Sequence, residues 1–349
     1  LTSDVPVGAF LSGGLDSSAI VSYAREVIPD IPCFTINCKS STNDGFSDDL
    51  PYAYQVAKHL SVPLHVVDVT PSDLISGIHH MIYHIDEPVA DPAPLNAFLI
   101  CKLARKNDIK VLLSGVGGDD IFSGYRRHLA LNAERYWSWL PIPLRSLIQQ
   151  TSTYLPANFA LTRRIRKMFS GAHLNGNERI ANYFRWLDRP DLISLFTPAF
   201  KQQVLCSTIE DPIISFLSDL PFSSTPLDKI LAVEQRFFLA DHNLNYTDKM
   251  SMACGVEARV PFLDPDLVEF AQYIPDRFKI SRGTSKYLLK KVMTNYLPRN
   301  VIYRPKTGFG APIRSWLSNE LFDWIHDVLS SDKLNARGIF LPDSVNRLM

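Results

Sequence analysis

The string Ser12-Gly13-Gly14-Leu15-Asp16-Ser17-Ser18 gathers residue types suited to holding an anion. Two glycines let the backbone approach a ligand closely and adopt positive φ, three serines add hydroxyl donors, and Asp16 offers a carboxylate to a divalent cation. An apolar run, residues 7–11, precedes the string, and a helical pattern, residues 19–27, follows it. A loop between a strand and a helix start collects backbone N–H groups at the positive end of the helix, so the expected anion is a phosphate. A lone glycine pair would read as a turn with Ser17 as helix cap; the full seven-residue string argues for a ligand. No lysine follows the glycines and the spacing is not G-x-G-x-x-G, which excludes the two commonest nucleotide loops.

A second loop of the same kind, Ser114-Gly115-Val116-Gly117-Gly118-Asp119-Asp120, follows another apolar run at residues 109–113. In open α/β sheets ligands bind beyond the carboxyl ends of strands where the strand order reverses, so two such loops on neighbouring strands would face one ligand. One loop would cradle phosphates and the other would bring Asp119 to the metal beside Asp16.

The elements that must position these loops alternate. Strands are expected at residues 7–11, 33–37, 64–69 and 109–113. Helices are expected between them, at residues 19–27, where Ile20, Tyr23, Ala24 and Val27 share a face, through Tyr52, Val56, Ala57 and Leu60, and near residues 72–85 and 94–107. The pattern predicts an α/β fold with a doubly wound parallel sheet over residues 1–128. Beyond it the strand signal fades, and aromatic-rich amphipathic segments punctuated by Pro141, Pro143, Pro156, Pro190 and Pro212 predict a large helical portion over residues 129–349.

With 349 residues, 46% of them hydrophobic, the chain can bury one large core or two smaller ones. Lys plus Arg equals Asp plus Glu at 36 each, so no overall field draws it to nucleic acid or to an anionic membrane. The run Arg163-Arg164-Ile165-Arg166-Lys167 is expected on a solvated helix face. Five scattered cysteines without a C-x-x-C pair argue against a disulfide framework or zinc site, and no membrane span or signal peptide is read. A cytoplasmic location is the expectation. The chain opens on Leu1 just before its first strand, so an amino-terminal neighbour is expected to be missing.

The Ser12 to Ser18 string resembles the pyrophosphate-binding PP-loop of ATP pyrophosphatases, which cleave ATP between the α and β phosphates. Further segments extend the likeness: Pro6-Val7-Gly8, Asp86-Glu87-Pro88, residues 113–125, Asp248-Lys249-Met250-Ser251-Met252, residues 255–264, and Tyr303-Arg304-Pro305-Lys306-Thr307-Gly308-Phe309. In this order and spacing they resemble the synthetase domain of glutamine-dependent asparagine synthetases and related amidotransferases.

The resemblance implies that Ser12, Gly13, Gly14, Asp16, Ser17 and Ser18 bind pyrophosphate, that Leu11 and Ile36 flank adenine, and that Ser114 and Gly115 lie near the nucleotide. It implies ATP and Mg²⁺ as cofactors, with Asp16 and Asp119 as metal ligands. Lys306 matches a catalytic lysine whose charge stabilises the α-phosphate and the oxyanion that follows. The implied reaction activates a small-molecule carboxylate as an acyl-adenylate, releases pyrophosphate, and lets ammonia displace AMP. The family draws that ammonia from an amino-terminal glutaminase domain, absent from this chain, and a homodimer is a further expectation.

One departure is chemical. Asparagine synthetases carry an acidic residue where this chain has Val116, and valine neither takes a proton nor pairs with an ammonium. The segment from Lys306 to Pro312 looks more like homologues found among bacterial polysaccharide genes, so a sugar carboxylate is an alternative acceptor. A nucleotide-binding module without turnover is another reading; RNA modification is disfavoured by the neutral charge. Glu257 and Arg259 are expected as a buried pair shaping the site floor. His80 and His84, spaced for a metal, are read as an ordinary helix face, and Asp241 as either a substrate-side acid or a surface one.

Overall fold

A computed structural model describes residues 1–38, 49–156, 159–204, 208–305 and 312–349. Lys306 and Cys206 lie outside the described residues. The chain divides into two units, Leu1–Leu129 with Glu234–Ser315, and Ala130–Val233 with Trp316–Met349. The first contains the sheet. Residues 234–315, assigned from sequence to the helical portion, return to it.

Five parallel strands, β1 Val7–Phe10, β2 Cys33–Cys38, β3 Leu64–Val69, β4 Val111–Leu113 and β5 Glu257–Arg259, lie in the order β3-β2-β1-β4-β5. The central strands β1 and β4 read as continuous apolar runs because both their faces are covered. Alternate residues go to opposite faces: Val7, Ala9, Leu11, Cys33, Val111 and Leu113 join one core with α1 (Leu15–Ala24) and α2 (Leu50–Leu60). Phe34, Leu112 and Val256 join another with Ile100, Cys101 and Ala104 of α4 (Ala93–Lys106). Between them in sequence lies α3 (Pro71–His84), started by a capping box in which Thr70 and Asp73 satisfy each other's backbone N–H groups.

The chain winds outward from β1 to β3 and then crosses back to β4 on the other side of β1, so the strand order reverses between β1 and β4. Their register, Val7 with Val111 and Ala9 with Leu113, brings the two glycine loops to the same level at the carboxyl edge. The first helix starts at Leu15, four residues earlier than the periodicity indicated, because the second half of the glycine string is already helical. β5 was not foreseen as a strand: it is three residues long and has no apolar run.

The second unit is helical. Arg179 ties part of it together, donating to Glu134 at 2.6 Å while its guanidinium stacks on the rings of Trp137 and Tyr183. The helix Ala160–Phe169 carries the basic run, and Arg163, Arg164 and Lys167 are exposed as a solvated face requires. Among the described residues no helix is long and apolar enough to cross a membrane. Burial pushes the Cys33 thiol up to about 12.

Candidate active site

The carboxyl edge of β1 and β4 opens into a cleft of about 400 Å³ lined entirely by residues of the first unit. Gly13 has φ +66°, and a Cβ there would lie 2.4 Å from the backbone of Tyr52 and Ala53, so the loop packs directly against α2. The serine hydroxyls hold the loop in shape. Gly14 N–H donates to Ser12 Oγ at 3.3 Å, Ser12 N–H donates to Ser17 Oγ at 3.2 Å, and Ser17 Oγ donates to Gly14 O at 3.3 Å.

The second loop meets the first. A Cβ on Gly115 would lie 2.7 Å from the backbone nitrogen of Ser17, a contact only glycine permits. Ser114 N–H donates to Arg259 O at 2.7 Å, and Gly117, at φ +95°, starts the short helix α5 (Gly118–Phe122) that carries Asp119 and Asp120.

The two carboxylates expected to hold a metal do converge, and a lysine lies between them. Lys286 Nζ is 2.5 Å from Asp16 Oδ2 and 2.5 Å from Asp119 Oδ1. Lys286 is buried, and it sits at φ +50°, in the left-handed region that a lysine enters only at a cost of about 1–3 kcal/mol. Burial works against its charge, but Asp119 and Asp16 outweigh it and hold the ammonium above the ordinary lysine value. Two more cations line the cleft. Lys290 is pushed down by burial and by Lys286. Arg304 bonds Asp49 at 3.1 Å, packs over the ring of Tyr52, and stands 3.5 Å from where a Cβ on Gly14 would project. Sequence reasoning missed Lys286 and Lys290. Arg304 stood beside Lys306 in the quoted motif and was passed over.

Leu11, Ser12, Gly14, Asp16, Ser17, Ser114, Gly115 and Asp119 line the cleft. Gly13 and Ser18 support the loop from behind, Ser18 being fully buried. Ile36 is not among the lining residues; it packs against the cluster of Phe34, Ile100 and Leu112, and the apolar lining of the cleft includes Phe10, Phe34, Ala93, Ala97 and Ile100. Asp16 and Asp119 are the lining carboxylates nearest a common point, and no group of three or more His, Cys, Asp or Glu is placed to hold a metal among the described residues.

The lining also includes Val116, Asp120, Tyr125, Phe238, Asn243, Tyr246 and Asp91. Asn243 Nδ2 donates to Tyr125 Oη at 3.2 Å, and Tyr125 Oη donates to Asp120 Oδ1 at 3.4 Å. Burial, with Asp120 and Asp119 nearby, holds the Tyr125 phenol well above its usual value. Phe238, His242 and Asn243 come from an unusual element, an eleven-residue π-helix Glu234–Leu244 of the kind that recurs at functional sites. Its first residue, Glu234, is fully buried and bonded by Arg127 and by His128 Nε2 at 3.0 Å. Burial raises the Glu234 carboxyl, but these bonds outweigh it and bring it below the usual range. The Arg127 guanidinium stacks at 4.5 Å on both Tyr125 and Phe238, so the Arg127–Glu234–His128 group braces that wall.

Glu257 and Arg259 do pair, at 2.7 Å, but in solvent: their side chains are 55% and 33% exposed because β5 is the edge strand, so they shape no buried floor. Asp241 pairs with Arg236 at 3.6 Å on the surface. His80 and His84 make an edge contact with each other on α3.

Comparison with known proteins agrees with this geometry. The family model described as asparagine synthase matches residues 1–349. The chain is 30% identical over 339 residues to "Asparagine synthetase [glutamine-hydrolyzing] 1" of Bacillus subtilis (strain 168), covering 96% of this chain and 51% of that protein. It is 32% identical over 335 residues to "Putative asparagine synthetase [glutamine-hydrolyzing]" of Mycobacterium bovis, covering 95% and 49%. It is 22% identical over 378 residues to "Amidase chyE" of Penicillium rubens, covering 97% and 54%. The chain thus spans about half the length of the curated relatives it matches. With the paired glycine loops of a parallel sheet and a family model covering its whole length, the chain belongs to the asparagine synthase family.

Proposed function

We propose that the chain is the synthetase part of an ATP-dependent carbon–nitrogen ligase that activates a carboxylate as an acyl-adenylate and converts it to an amide with ammonia. The observation that carries this reading is the convergence of both glycine loops, three cations and two carboxylates at the point where the strand order reverses. The Ser12 to Ser18 loop acts as a PP-loop: its backbone N–H groups, with Lys286, Lys290 and Arg304, bind the β and γ phosphates as they leave. Positioning and charge neutralisation supply the catalysis, since the protein has no covalent step of its own.

Asp16 and Asp119 fit Mg²⁺. Their oxygens already share one cationic neighbour, and Mg²⁺ in nucleotide sites takes one or two carboxylates with phosphate oxygens and water. When bound, the ion would neutralise phosphate charge, and the Lys286 ammonium would turn onto the phosphates. Lys306, placed by the resemblance at the reacting carbon, stabilises the charge that develops there. Glutamine hydrolysis, which the names of the relatives state for them, is the proposed source of this ammonia.

Val116 favours a second reading of the acceptor. With no acid at this position to pair with an α-ammonium, a sugar carboxylate, which carries no ammonium, is the alternative acceptor. The test is pyrophosphate release from ATP, Mg²⁺ and ammonium with a panel of amino-acid and uronic-acid carboxylates. Release with one class names the acceptor. ATP binding without release for any of them would overturn the ligase reading, and full turnover by Lys306→Ala would remove that lysine's role.

A further inference from the structure

The amide-forming step needs a base, and the family's usual position for a carboxylate holds Val116. Building on the ligase reading above, we propose that Asp91, oriented by His242, is the group that takes the proton from the attacking nitrogen.

Five carboxylates line the cleft among the described residues: Asp16, Asp49, Asp91, Asp119 and Asp120. Asp16 and Asp119 are bound to Lys286 on the phosphate side. Asp49 is bound to Arg304 beside the first glycine loop. Asp120 is buried against the Tyr125 hydroxyl. Asp91 differs from all four. It stands on the loop before α4, partly exposed, and it bonds a backbone amide and an imidazole: the Ala93 N–H gives a 2.9 Å bond to Oδ1, and His242 Nε2 lies 3.1 Å from Oδ2. These two bonds fix the carboxylate plane and leave each oxygen a further lone pair.

The imidazole is itself held in place. The His242 ring contacts Phe238 at 5.1 Å and Tyr246 at 5.3 Å between centroids, and both of those residues line the cleft, as Val116 does. With Nε2–H donating to Asp91, the pair has the base-and-orienter form that recurs in general-base catalysis. The π-helix that carries His242 also carries Phe238 and Asn243, so one element sets the orienting group and the acceptor wall together.

The step balances as follows. The lone pair of ammonia bonds to the acyl carbon, and the carbonyl π electrons move onto oxygen. Asp91 takes one proton from the nitrogen, now positively charged. The oxyanion re-forms the carbonyl, and the bond between the acyl carbon and the phosphate oxygen of AMP breaks. Amide and AMP leave, and the proton on Asp91 passes to solvent. No oxidant or further reactant is needed.

The experiment compares ammonium chloride with hydroxylamine as nucleophile, using whichever carboxylate of the amino-acid and uronic-acid panel drives pyrophosphate release in the unaltered chain. Hydroxylamine is far less basic than ammonia, so after it attacks the nitrogen sheds its proton to water without help. Asp91→Asn is expected to lower amide formation about 100-fold relative to pyrophosphate release. Hydroxamate formation should fall less than threefold. His242→Ala should lower amide formation about tenfold, and His242→Gln, which keeps a donor near Nε2, should recover most of that loss. Parallel loss of amide and hydroxamate in Asp91→Asn would mean that Asp91 only shapes the site, and an unchanged amide rate would mean that it plays no part; either overturns the proposal. Absence of pyrophosphate release in the unaltered chain would instead overturn the ligase reading.

Discussion

Lys286→Met isolates the charge at the reversal of strand order. The side chain keeps a similar length and inherits the same left-handed backbone, φ +50°, so the substitution removes the ammonium and little else. Asp16 and Asp119, each bonded to Nζ at 2.5 Å, would then face one another across the space the ammonium leaves. Removing one partner of a buried ion pair costs about 3–5 kcal/mol. Both carboxylates are 19% exposed, so water screens part of the repulsion and the lower end, about 3 kcal/mol, applies. For a unit of roughly 200 residues, 1 kcal/mol moves Tm about 2–4 °C, so the melting point should fall roughly 6–12 °C.

The assay is thermal unfolding followed by far-ultraviolet circular dichroism. All five tryptophans, Trp137, Trp139, Trp186, Trp316 and Trp324, lie in the second unit, so their fluorescence would report the wrong part of the molecule. MgCl₂ supplies the decisive comparison. In the unaltered chain the cation must displace an ammonium, whereas in the variant two carboxylates stand ready. Magnesium at ten times its Kd would return about 1.4 kcal/mol to the variant and less to the unaltered chain. The Lys286 pKa is raised, so its contribution is complete below the unfolded lysine value of about 10.4 and is lost as pH rises through the higher folded value. The difference between the proteins should therefore be flat from neutral pH to about pH 9. A Tm within 2 °C of the unaltered chain, or magnesium stabilising the unaltered chain at least as much, would refute the reasoning.

Gly115→Ala should push the two glycine loops apart, because its Cβ would meet the Ser17 nitrogen at 2.7 Å; isothermal titration should show ATP binding weakened at least about tenfold, at a stability cost of about 1–3 kcal/mol. Glu234→Gln should cost about 3 kcal/mol in urea unfolding, since it leaves Arg127 without its buried counter-charge. Burial holds His128 below its ordinary value, so its share of stability is full above about pH 6.5 and is lost as pH falls through the lower folded value; His128→Gln should flatten the stability profile on the acid side of about pH 6.5. Val116→Glu restores a carboxylate at the acceptor end and should raise aspartate-dependent pyrophosphate release at least about tenfold, and no rise would show that this position does not set acceptor choice.

What was legible in the sequence was whatever leaves a local trace. β1 and β4 announced themselves as apolar runs because both their faces are buried, β2 and β3 as mostly apolar ones, and the glycine strings announced the two close backbone approaches at Gly13 and Gly115. Lys286 left none: its partners lie 270 and 167 positions away, and a lysine ahead of a helix reads as a surface residue until the chain is folded. The same holds for the Asp91–His242 pair and for Glu234 with Arg127 and His128. The π-helix also escaped notice, since its i→i+5 bonding has no residue signature comparable to a cap or a heptad. Glu257 and Arg259 misled for the opposite reason, as a compact charged motif that belongs to an exposed edge strand.

The two ends of the cleft are built by different physical means, and this decides which of them can change. At the phosphate end the contacts are backbone to backbone: Gly13 against α2, Gly115 against Ser17, Ser114 bonded to the carbonyl of Arg259. A larger residue at either glycine must move a strand or a helix, so that end is held in one form by the sheet itself. Elsewhere in the cleft the surface is made by side chains, among them Val116, Asp91, Tyr125, Phe238 and Asn243, carried on loops and on a π-helix. Exchanging one of these alters charge or shape without disturbing the strand register. On the proposed ligase reading, activation chemistry and acceptor choice can therefore vary independently, with Val116 bearing on which acceptor fits and Asp91 proposed as the base.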